Sequence, residues 1–159
     1  MTNTLPEVFK PVQAFEAQTN AGAIVGDYVK ASLCSMLYIV VHLTQAAADT
    51  SVLTIEQATD ETPTGSKAIT TVLPIWANLD CAASDTLSRA TDAISYTTDA
   101  GVKHKIIIFQ VDPSGLDTEN NFDWVTIKAA GSSANNIISA MYYFGGMRYQ
   151  DNVPPTMID

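Results

Sequence analysis

Three features of this sequence predict an all-β fold, an antiparallel β-sandwich or jelly roll built as one domain. Apolar residues alternate with polar or mixed ones at period two in several short runs. Turn-forming residues separate those runs at short, regular intervals. No stretch carries the i, i+3, i+4 apolar stripe that an amphipathic helix needs. Strands without helices must bury one sheet face against another, which leads to a sandwich or jelly roll.

The elements follow in order. Residues 1–23 read as an extended arm. Pro6 and Pro11 interrupt any helix, while Leu5, Val8, Phe9, Val12 and Phe15 supply spaced apolar anchors. A free tail rarely carries two Phe residues and several aliphatics, so docking on the body or on a neighbouring subunit is expected. The β-domain is placed at 24–150, followed by an extended tail at 151–159 that contains Pro154 and Pro155. At its start, Gly22 to Val29 predicts a short strand with a turn at Gly26-Asp27.

The centre of the chain is Met36 to Gln57. Leu37, Ile39, Val41 and Leu43 share one face of a strand, and Met36, Tyr38, Val40, His42 and Thr44 share the other. Leu53 and Ile55 mark a second strand, with Thr54 and Glu56 facing the opposite way. Ala46 to Ser51 between them reads as a turn, so a β-hairpin is predicted.

Thr59 to Ser66 is a loop. Ala68 to Asn78 regains strand character, with Pro74 inside it predicting an edge or a bulge because proline has no ladder donor. Short strands are predicted around Thr86–Arg89 and Ile94–Thr97. Lys105 to Asp112 is a strong strand, with Ile107, Phe109 and Val111 on one face and Ile106, Ile108 and Gln110 on the other. An acidic loop (Asp112 to Asn121), a strand (Phe122 to Ala129) and a turn (Gly131 to Asn136) follow. The final strand, Ile137 to Tyr149, is interrupted at Gly145-Gly146, which predicts a bulge or a close backbone contact.

Composition narrows the partners. Only 16% of the 159 residues are charged, against about 25% in an ordinary domain. Together with a mean hydropathy of +0.09, this predicts apolar surface hidden against other subunits. A net charge of −9, with the few basic residues scattered, argues against nucleic acid and anionic membranes as partners. The amino-terminal stretch lacks a basic segment followed by an apolar one, so no secretory signal is read there. The longest apolar run, Met36 to Val41, is too short to span a bilayer. Cys34 and Cys81 permit one disulfide, but two buried thiols are the simpler expectation.

No catalytic motif emerges. His42 and His104 have no further ligands at metal-binding spacing. There is no nucleophile elbow, Walker motif or dinucleotide fingerprint. The run Asp117, Glu119, Asn121 and Asp123 places oxygen side chains at alternating positions, a weak candidate for a hard cation. An EF-hand is excluded because Phe122 stands where the turn glycine belongs and no bidentate Glu follows. No enzyme activity, cofactor or metal is expected. The aromatics carry more information. Trp124, Tyr142 and Phe144 lie opposite other large apolar residues on their strands, so with Phe9 and Phe15 they are candidates for contact with another subunit.

The segments GDYVKASLCSMLYIVVHLTQ, VLTIEQATD, GSKAI, VDPSGLDTENNFDWVTIKA and MYYFGGMRYQDN resemble small structural proteins of tailed bacteriophages encoded near the major capsid protein. The resemblance covers most of Gly26 to Asn152. It implies a virion protein made in the host cytoplasm, with the major capsid protein or another virion component as partner. It further implies capsid decoration, with self-association in a threefold cluster on the head. A head–tail joining, tail or baseplate component is the alternative within that class. A jelly-roll carbohydrate-binding module is the alternative outside it.

Overall fold

The computed structural model describes residues 4–63 and 65–147; the predicted 151–159 tail lies outside them. One helical turn, Leu5–Val8, leads into β1 (Phe9–Thr19), β2 (Ile24–Val25) and β3 (Val29–Lys30). These are followed by β4 (Cys34–Thr44), β5 (Val52–Ala58), β6 (Ser66–Ala68), β7 (Ile75–Asn78), β8 (Ser88–Arg89) and β9 (Ser95–Thr97). The chain continues with β10 (His104–Val111), β11 (Trp124–Ala129) and β12 (Ile137–Met147). Two antiparallel sheets result. Sheet A has the order β1-β12-β4-β10-β7-β8. Sheet B has the order β2-β11-β5-β6, with β3 also on β11 and β9 also on β5. The all-β, sandwich-like fold is therefore as predicted.

The core follows from alternation. Leu37, Ile39 and Val41 of β4 are fully buried, whereas Tyr38 and Val40 between them are only half-buried. Antiparallel register sets Phe109 of β10 opposite Ile39 on one side and Tyr142 of β12 opposite it on the other. Sheet B closes the core with Leu53, Ile55, Val125 and Ile127. Each such side chain contributes about 1.5–3 kcal/mol by leaving water.

The predicted hairpin at Met36–Gln57 does not form. β4 is flanked by β12 and β10, so both its edges are occupied and β5 cannot pair with it. Ala46 to Ser51 instead crosses to sheet B, where β5 turns Leu53 and Ile55 into the core. Asn136 holds the start of this crossing, its Oδ1 accepting from the backbone of Ala46 at 2.9 Å and of Ala47 at 2.8 Å. The single strand predicted through Pro74 is also divided. Its ends join different sheets as β6 and β7, with Pro74 just ahead of β7. The Pro74 carbonyl still accepts from Gln110 at 3.0 Å.

The 1–23 segment contains β1, which runs antiparallel to β12 from Phe9 opposite Gly145 to Thr19 opposite Ile137. Phe15, and in part Phe9 and Val12, therefore dock on this chain's own sheet, whereas Leu5 and Val8 are exposed. β1 is the outer edge of sheet A and is poorly shaped for strand addition. Pro11 lacks a donor, and the register shifts between Gln13 and Phe15 and again between Phe15 and Gln18. At the other edge β8 has only 2 residues.

Two close approaches tie the structure together. The Tyr142 hydroxyl crosses from sheet A into the break between β2 and β3, where it accepts from Ile127 N at 3.2 Å and donates to Asp27 O at 2.8 Å. A Cβ on Gly26 would lie 3.0 Å from that oxygen, so glycine makes the approach possible. The Gly145-Gly146 pair is a close contact rather than a bulge against β4, since the register is regular through Gly145 and Met147. Gly146 has φ +61°, and a Cβ there would sit 2.0 Å from Ser35 Oγ.

Candidate contact surface

The outward face of sheet A is the unusual surface of this molecule. Cross-strand register lines up Gln13, Met141, Val40, Ile108, Trp76 and Arg89 in one row over all six strands. A neighbouring row sets Pro11, Tyr143, Tyr38 and Gln110 side by side. Phe9 packs edge-on against Tyr38, with ring centroids 5.9 Å apart. Between these rows lies a shallow, wholly apolar depression lined by Phe9, Tyr38, Val40, Ile108 and Tyr143.

Charge is distributed unequally between the two outer faces. Among the described residues, Glu16, exposed on the edge strand β1 next to the inward-facing Phe15, is the one Asp or Glu in the strands of sheet A. Its cation at the far edge, Arg89, lies over the Trp76 ring at 5.3 Å and pairs with Asp92 in the following loop at 2.6 Å. The outer side of sheet B carries the Lys128–Glu56 pair at 2.6 Å, and Lys67 bonds to Asp117 nearby. Burial opposes ionisation of Glu56, but the bonds from Lys128 and Ser66 outweigh it and hold the carboxyl below its ordinary range. The bond to Glu56 likewise raises Lys128. Sheet B therefore presents an ordinary solvated face. Sheet A does not.

The sequence-selected contact residues divide accordingly. Phe9 lies on the apolar outer face. Trp124 is half-buried on the outer side of sheet B, with Lys30 Nζ 5.9 Å from its ring. Tyr142 and Phe144 are fully buried and Phe15 is 8% exposed, so these three belong to this chain's own core. The reason is register. On β12 the even-numbered aromatics face sheet B, and Met141 and Tyr143 face outward. Tyr38, Val40, Ile108 and Trp76 were passed over. For Tyr38, Val40 and Ile108 the signal was the apolar content of the second faces of the two strongest strands, β4 and β10, which one solvated face does not require.

The acidic loop does not assemble a cation site. Asp117 accepts from Lys67 and from Asn120, which hold its carboxyl low. Asp123 accepts from Ser32 at 2.8 Å and lies 3.7 Å from Lys30. The two carboxylates are thus turned to different lysines, while Glu119 and Asn121 are exposed. Among the described residues, no three His, Cys, Asp or Glu side chains gather as a metal would require. No disulfide joins Cys34 and Cys81, and the Cys34 thiol donates to Ala31 O at 3.3 Å. His104 Nδ1 is 3.1 Å from Thr44 Oγ1 at the sheet margin. Among the described residues, Lys105 is the one lysine in the core. Its ammonium donates to Gln45 Oε1 at 2.8 Å and to Asp99, so it is satisfied within the fold.

No protein-family model and no curated protein matches this chain. Among solved structures, it is similar to the SPBc2 prophage-derived protein YomS, with a TM-score of 0.46 and 11% identity over 85% of this chain and 92% of that one. A weaker likeness, with a TM-score of 0.24 and 9% identity, is to a candidate sugar-binding protein from Bacteroides thetaiotaomicron, over 86% of this chain and 65% of that one.

Proposed function

We propose that this chain is a non-catalytic structural protein of a tailed-bacteriophage virion, and specifically a decoration protein that binds the major capsid lattice and stabilises the head. The observation that carries the reading is the outer face of sheet A: broad, apolar in its central rows and with a single strand carboxylate, Glu16 at its edge, in a chain whose net charge is −9. Such a face is costly to leave in water and serves a protein that works by contact. The segment-by-segment resemblance between Gly26 and Asn152 supplies the virion setting. Stabilisation comes from many copies that each add a modest contact, so it grows with occupancy of the lattice.

The test is co-sedimentation. Purified protein is mixed with expanded heads that lack it, and bound protein is measured against heads already saturated. Saturable binding, with heads that resist heat or chelation better than bare heads, is the expected result. Absence of binding to expanded heads would overturn the decoration reading.

A further inference from the structure

We infer that the apolar face of sheet A is covered by a second copy of the same chain, joined face to face about a two-fold axis. This rests on the contact-protein reading above and names the partner of that same surface.

Three observations select this occupant. The first is charge. Two copies with net charge −9 repel through most of their surfaces. They approach with least repulsion where sheet A faces outward, because its one strand carboxylate, Glu16, stands on the edge strand β1, and a basic partner would gain little there. The second is area. β1, β12 and β4 have 11 residues each, β10 has 8 and β7 has 4. At about 3.4 Å per residue and about 4.8 Å between strands, the plan area is roughly 700 Å². Side-chain relief adds to this, which brings it to the roughly 800 Å² per partner that a stable interface buries.

The third is the state of the edges. Pro11 and the two register shifts disable β1 for strand addition, and β8 is too short to offer a ladder. Assembly through sheet A therefore proceeds through its face. Two sheets pack face to face at about 10 Å with their strands within about 30° of each other. That arrangement is isologous and closes at two copies. It differs from the threefold cluster that the capsid resemblance implies, because face-to-face pairing uses up this surface with one partner. Val40 and Ile108, opposite each other near the middle of the face, fall close to the axis.

The experiment is sedimentation equilibrium of the purified chain without heads, over a concentration series. A dimer is expected. Ile108→Glu and, separately, Val40→Lys place a charge in each half of the interface and should weaken dimerisation by about a hundred-fold or more. Far-ultraviolet circular dichroism and a melting curve confirm that each variant is folded. Val40→Cys provides a readout that needs no loss of binding: on mild oxidation it should form a covalent dimer that the wild-type chain does not. A wild-type monomer at all concentrations would overturn the inference. So would a trimer, or a dimer that survives both charge substitutions in folded protein without a Val40→Cys cross-link. A confirmed dimer that fails to bind heads would retain this inference and reject the decoration reading.

Discussion

Replacing Tyr142 with Phe removes one oxygen from a position where the structure depends on it. That hydroxyl fills the break between β2 and β3, where Ile127 N–H has no strand carbonyl opposite and donates to Tyr142 at 3.2 Å instead. It also donates to Asp27 O at 2.8 Å. The phenol is wholly buried, and burial raises its pKa. In Tyr142→Phe the ring still fills its space, so no cavity term arises. What remains is a buried N–H without an acceptor, which costs about 1–3 kcal/mol. The Asp27 carbonyl adds less, because Asp27 is exposed and water can replace the lost donor. The expected loss is about 2 kcal/mol, or about 4–8 °C in Tm for a domain of this size. Urea unfolding at pH 7 measures it, with an unchanged m-value showing that the unfolded state is the same. Gly26→Ala, whose Cβ would press on the same oxygen, should cost less in the Tyr142→Phe background than alone, because two substitutions on one contact are not additive. A loss below about 0.5 kcal/mol, or strict additivity in the cycle, would refute the reasoning.

Other expectations test separate parts of the fold. Gly146→Ala should lose about 1–3 kcal/mol, combining left-handed backbone strain with a Cβ 2.0 Å from Ser35 Oγ; adding Ser35→Gly should recover the steric part and leave the strain, as read by urea titration. Glu56→Gln removes the partner of Lys128. Glu56 sits low when folded, so its contribution is present above its unfolded pKa of about 4.3 and is lost as pH falls through the folded value. Lys128 sits high, so its share is present below about 10.4 and is lost as pH rises through its folded value. The wild-type advantage, under about 1 kcal/mol for this partly exposed pair, should therefore be greatest between about pH 5 and 10 and vanish once pH falls below the lowered folded pKa of Glu56. Lys105→Ala should cost about 3 kcal/mol, since it opens a cavity and strands Gln45 Oε1. Lys105→Met should recover more than half of that, because its stem refills the space. Equal losses would show that the charge, rather than the packing, sets the cost.

Strand positions were legible because period-two alternation is local information. Leu37, Ile39 and Val41 on β4 and Ile107, Phe109 and Val111 on β10 identify their buried faces without any partner. Pairing was not legible in the same way. Val52 to Ala58 has the same pattern whether it turns back onto β4 or crosses to sheet B. The choice was made by β12, about ninety residues further along, which takes the edge a hairpin would have used. The contact surface was legible only in outline. Low charge and positive hydropathy announced a hidden apolar face, but assigning Tyr142 and Phe144 to it mistook the inward register of β12 for the outward one. A slip of one residue exchanges the two faces of a strand. The acidic loop misled for a related reason: oxygen spacing in sequence does not show which lysines fold back to claim the carboxylates.

Pro11 and the irregular register of β1 bear on behaviour at high concentration. A protein that accumulates in many copies before it is used faces the hazard that strands from neighbouring molecules zip together into fibres. The outermost strand of this sheet offers no regular row of donors and acceptors to a stranger. In the face-to-face pairing inferred above, contact is made instead by a surface that one partner uses up. With that pairing, crowding yields pairs rather than fibres.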